Sequence, residues 1–108
     1  MKKTRLNEMT GGWFIGNFNP SVHKTNAVEV AIKVYKEGDS EKTHYHKIAT
    51  EYTVIIKGEV LMNNTKFVQG DIVEIMPFEE SDFKALTDVI TAVIKLPGAN
   101  NDKYNSHE

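Results

Sequence analysis

Hydrophobic and polar positions alternate along most of this chain with a period of two, and nowhere do they settle into a 3.6-residue stripe long enough for a core helix. The cleanest stretch runs from Ala27 to Tyr35, where Val28, Val30, Ile32 and Val34 share one face and Glu29, Ala31, Lys33 and Tyr35 the other. Thr50 to Lys57 is rich in β-branched residues, with Glu51, Thr53 and Ile55 on one face and Tyr52, Val54 and Ile56 on the other. Shorter extended segments are expected over 13–18, 42–47, 60–62, 66–68, 72–76, 82–86 and 89–96. Turn residues separate them: Glu37-Gly38-Asp39-Ser40, Lys57-Gly58-Glu59, Asn63-Asn64, Gln69-Gly70-Asp71, Pro77 and Pro97-Gly98. Asn63-Asn64 is a two-residue hairpin signal, because asparagine tolerates the positive φ such turns need. Seven to nine short strands with turns every six to twelve residues predict an all-β sandwich or barrel.

Composition narrows the chemistry. The 108 residues suit one domain. The expected division is an N-terminal segment over 1–26 with a short strand packing on the barrel, the barrel over 27–97, and a loosely held polar tail over 98–108, which Tyr104 could anchor. Cysteine is absent, so any metal must be held by imidazole and carboxylate. Thirteen Lys/Arg against fifteen Asp/Glu give a net charge of −2, without the concentrated basic face that nucleic acid calls for. No apolar run approaches a membrane span and no signal peptide is indicated, so a cytoplasmic protein is expected. The second half carries the acidic excess, with Glu79, Glu80 and Asp82 clustered.

Two features could bear chemistry. In an extended strand His44 and His46 leave the same face, and Glu51 follows across a short bend on an otherwise apolar strand. A carboxylate there is costly unless paired or metal-bound. Two imidazoles and a carboxylate suit Fe, Mn, Ni or Zn as a divalent transition metal. By parity Tyr45 and Tyr52 face away from such a site. The second feature is Trp13-Phe14-Ile15-Gly16-Asn17-Phe18, in which Trp13, Phe14 and Phe18 either wall a ligand pocket or form an extra strand covering the barrel. His23 and His107 are expected to be exposed.

The spacing Gly38-x5-His44-x-His46-x4-Glu51-x6-Gly58 resembles the first motif of the cupin superfamily at every position. The resemblance implies a single antiparallel jelly-roll β-barrel with a metal held by His44, His46 and Glu51. The second cupin motif, Gly-x5-Pro-x-Gly-x2-His-x3-Asn, is matched only in part. Gly70-Asp71 opens it, Pro77 comes one residue late, Glu79 stands for glycine, Asp82 for the ligand histidine and Leu86 for asparagine. Asp82 is thereby the fourth candidate ligand, and Lys84, of the same parity, either neutralises it or joins the ligand site. The function implied is a metal-dependent enzyme of dioxygenase, isomerase or lyase type acting on a small polar metabolite. The alternative is a non-catalytic module binding such a molecule. Apolar outer positions Tyr52, Val54 and Ile56 point to a homodimer.

Overall fold

The computed structural model describes residues 1–106. After a short 3₁₀ turn at Leu6–Glu8, the chain forms ten strands. They are β1 (Trp13–Ile15), β2 (Glu29–Tyr35), β3 (Ser40–Tyr45), β4 (Thr50–Lys57), β5 (Glu59–Met62), β6 (Thr65–Val68), β7 (Ile72–Ile75), β8 (Ser81–Ala85), β9 (Val89–Leu96) and β10 (Tyr104–Asn105). They make two five-stranded sheets, ordered β1-β2-β9-β4-β7 and β10-β3-β8-β5-β6. Every strand pairing is antiparallel. The two sheets face one another as a jelly roll. Among the described residues no helix is long and apolar enough to cross a membrane.

The turns form where the sequence places them. Asn63 and Asn64 take φ of 51° and 61° between β5 and β6. Gly58 takes φ 92° between β4 and β5, and a Cβ there would run into the Asp88 carbonyl and the Thr87 side chain.

Between the sheets, polarity changes along each strand. At one end Ile55, Val60, Met62, Ile75, Phe83, Ala85 and Val89 form a buried apolar cluster, with Tyr35, Phe67 and Val73 packed against it. Toward the other end the inward positions become polar. On β4 they run Ile55, Thr53, Glu51, and on β9 Val89, Thr91, Val93, Lys95, with Glu51 directly opposite Lys95. The apolar end fills the space between the two sheets, and the polar end leaves an open cavity.

Strand β2 turns its Glu29, Ala31, Lys33 and Tyr35 face inward. Its valine and isoleucine face is outward, and Val34 is 69% exposed. On the outer side of the same sheet, Val30 lies opposite Ile94, Ile32 opposite Ala92, and Val34 opposite Ile90. Tyr52 and Val54 of β4 continue that surface beside Ile94 and Ala92. The other sheet turns charge outward: Lys84 is exposed, and Lys66 pairs with Glu59 at 3.4 Å.

The described part of the C-terminal segment is tied to the rest of the fold. Ala99 N–H donates to Glu29 Oε2 at 2.6 Å, Asn100 Nδ2 to the Asn17 carbonyl at 3.1 Å, and β10 pairs with β3. Tyr104 stacks on Tyr45 at 5.4 Å. These bonds bring residues 99–103 over the cavity as part of its wall.

Candidate functional site

The cavity has a volume of about 540 Å³ and lies at the polar end of the barrel. His44, on β3, and His46, just after it, are 7% and 3% exposed and line it together. Their rings meet edge to face at 5.4 Å. His44 Nδ1 lies 3.0 Å from the Lys42 carbonyl, which can only accept, so Nδ1 donates there and Nε2 is the nitrogen left for a ligand. His46 Nε2 is buried and has no hydrogen-bond partner among the described residues. Burial, the ammonium of Lys95 and the neighbouring His44 push the His46 imidazole down to about 4, so it is neutral at physiological pH.

Glu51 enters from the facing sheet, 9% exposed, and accepts a hydrogen bond from the Thr53 hydroxyl at 3.2 Å. The structure thus brings His44, His46 and Glu51 into one cavity. Among the described residues, however, no three His, Asp or Glu side chains are gathered closely enough to enclose a metal ion. The donor chemistry nevertheless fits a borderline divalent cation: two imidazoles, one with a buried nitrogen that has no partner among the described residues, and a carboxylate that accepts from the Thr53 hydroxyl.

Asp82 is placed differently from these three. It borders the cavity, but its carboxylate accepts the Asn63 N–H at 2.7 Å, and the Asp82 N–H donates back to Asn63 Oδ1. On β8 the buried positions are Ser81, Phe83 and Ala85, so parity turns the Asp82 side chain toward the hairpin. Lys84 follows it outward and does not line the cavity. Glu79 and Glu80 are exposed and also lie outside it. The aromatic segment divides in the same way. Trp13 and Phe18 line the cavity, whereas Phe14 lies on the opposite side of β1, with Leu6, Val22 and Ile32. His23 is exposed, and His107 lies outside the described residues.

Several cavity groups escape the period-two reading. A bulge in β3 sets Glu41 opposite Phe83 and His44 opposite Ser81, so residues three apart both face inward. Glu41 accepts a hydrogen bond from the Tyr35 hydroxyl at 3.1 Å. Burial, then Glu41, raises the Tyr35 phenol well above its usual value, so it keeps its proton. Asp102 arrives from the C-terminal segment and is 5% exposed. Its carboxylate caps the turn after His46 by accepting the N–H groups of Lys47, Ile48 and Ala49 at 2.9–3.2 Å. Burial alone would raise its pKa, but these three donors outweigh it and hold the carboxyl below the ordinary range.

The basic side has Lys33 of β2 and Lys95 of β9. Their Nζ atoms stand 5.2 and 4.9 Å from the centroid of the Trp13 ring. Burial lowers the Lys33 pKa, opposed by Glu41 and reinforced by Lys103 and Lys95. The signal for Lys33 and Lys95 was their period-two place, Lys33 on the Glu29, Ala31, Tyr35 face of β2 and Lys95 as the only charged residue of β9. Nothing in the sequence near Asp102 marked it.

By sequence, no family model and no curated protein matches the chain. By structure, it is similar to a double-stranded β-helix protein from Klebsiella pneumoniae, with TM-score 0.70 and 21% identity over 78% of this chain and 74% of that one. It is also similar to the DMSP lyase DddQ from Ruegeria pomeroyi, with TM-score 0.73 and 15% identity over 88% of this chain and half of that one. A cupin superfamily protein from Desulfitobacterium hafniense gives TM-score 0.62 and 13% identity over 67% and 69% of the two chains. The jelly roll described above is therefore the cupin, or double-stranded β-helix, fold.

Proposed function

We propose that the cavity binds a divalent transition metal through His44, His46 and Glu51, and that the chain is a metal-dependent enzyme acting on a small polar metabolite. The observation that carries this reading is the buried, unpartnered His46 Nε2 beside a His44 whose Nδ1–H is already committed. An unsatisfied buried nitrogen is costly unless something occupies its lone pair. Fe, Mn, Ni and Zn all accept this donor set, and such an ion supplies Lewis-acid polarisation of a bound oxygen. Of the lyase, isomerase and dioxygenase types, the fold similarity to a lyase favours the first.

The chain's own groups would do the rest. The Tyr35 hydroxyl orients Glu41, the carboxylate best placed to take up a proton within the cavity. Residues 99–103 narrow access for water. A binding module without turnover is the second reading, favoured by the turn of Asp82 toward Asn63, which leaves three candidate ligands. The apolar outer face built from Val30, Ile32, Val34, Ile90 and Val54 would join two copies as a homodimer.

The test is Co²⁺ titration followed by visible absorption, with Mn²⁺ competition, on the wild type and His44→Ala. Stoichiometric binding lost in the variant upholds the metal reading. Cobalt spectra that His44→Ala leaves unchanged would sink it. Substrate turnover with the loaded protein separates enzyme from binder.

A further inference from the structure

Resting on the cavity being the functional site, we infer that Lys33 and Lys95, gathered over Trp13, form a subsite for the carboxylate group of a small anionic ligand. The argument begins with what each charged group in the cavity already has. Of the acids that line it, Glu29 holds the Ala99 N–H, Glu41 the Tyr35 hydroxyl, Glu51 the Thr53 hydroxyl, Asp82 the Asn63 N–H and Asp102 three backbone N–H groups. Each acid is therefore engaged by a donor of the protein. Lys33 and Lys95 face carboxylates, with Glu29 and Glu51 opposite Lys95 on the neighbouring strands and Glu41 acting on Lys33, but among the described residues neither ammonium is held in a close ion pair. Among the described residues the one ion pair is Lys66 with Glu59, on the outer side of the barrel.

What Lys33 and Lys95 do contact is a single indole. Lys33 lies opposite Thr91 and Lys95 opposite Glu29 on the β2–β9 ladder, so the two side chains start from separate positions and converge on one ring. Two half-buried ammoniums drawn to one indole repel each other, and an anion between them offsets that repulsion. A carboxylate suits the place because it is planar and can lie along the indole while each oxygen accepts from one ammonium. Lys33 and Lys95 line the same cavity as His44 and His46, so an anion held there shares it with the imidazole pair.

Trp13 is the single tryptophan of the chain, so its fluorescence reports on this subsite alone. The probes are malonate and succinate, their neutral counterparts malonamide and succinamide, and inorganic phosphate, all at constant ionic strength. The expected result is a saturable change in Trp13 emission with the dicarboxylates and none with the amides. Affinity should fall about tenfold or more in Lys33→Gln and in Lys95→Gln, and be largely kept in Lys95→Arg, which retains the charge. Circular dichroism and melting curves confirm that each variant is folded, and Lys95→Arg carries the test if a glutamine variant is not. Equal responses to acids and amides, a response to phosphate alone, no response to either acid, or wild-type affinity in both glutamine variants would each overturn the subsite. Cobalt binding by the wild type is read separately. Succinate bound without cobalt leaves the subsite standing and removes the metal reading, and cobalt bound without succinate does the reverse.

Discussion

Acidification should destabilise this protein chiefly through His46. In the folded chain its imidazole is held at about 4, against 6.5 when unconstrained, because it is buried and faces Lys95 and His44. Between those two values the unfolded chain binds a proton that the folded chain does not. Stability therefore rises with pH across that window and is lost as the pH falls from 6.5 toward 4. A pKa difference of this size corresponds to about 3–3.5 kcal/mol, a large share of the stability of a domain this small. Urea unfolding at closely spaced pH values from 7.5 to 4.5, roughly the window over which the imidazole titrates, measures this in metal-free buffer. His46→Gln should flatten the pH dependence across the window, whatever it does to absolute stability. Lys95→Met should raise the His46 pKa, visible as an earlier shift of its ring resonances in NMR. An identical pH slope in the wild type and His46→Gln would refute the reasoning.

Three further outcomes follow from other parts of the structure. Asp102→Ala strips the acceptor from three backbone N–H groups and should cost about 3 kcal/mol in urea unfolding, with Asp102→Asn recovering part of it. Gly58→Ala places a methyl against the Asp88 carbonyl at a positive φ and should cost about 2–4 kcal/mol, read as a lowered Tm. If the apolar outer sheet joins two copies, sedimentation should show a dimer that becomes monomeric when Val34 and Ile72, 69% and 67% exposed, are both changed to lysine. A monomeric wild type at high concentration would remove that proposal.

Much of the architecture was legible because its signals are local. The Asn63-Asn64 hairpin, the glycine at 58 and the alternation in β2, β4 and β9 each depend on a few neighbouring residues. The pairing of His44 with His46 was legible for the same reason, since a spacing of two fixes a common face. Glu41 was not, because the bulge in β3 changes parity and only its partner on β8 reveals the extra residue. Asp82 was read through a motif spacing, but one-residue slippage on a strand exchanges inside for outside, and Ser81 takes the inward place.

By itself, then, the sequence determined where strands and turns fall, which residues share a face, and that imidazole and carboxylate are the available ligands. Only the tertiary structure decided which face of β2 looks inward. A period of two divides a strand into two faces without labelling either, and the apolar face is not bound to be the inner one when the interior is a polar cavity. It also decided that Asp102, more than fifty residues from the turn it caps, belongs to the site, and that Lys33 and Lys95 converge on Trp13. Those contacts depend on how strands distant in sequence pair, and local pattern carries no record of that pairing.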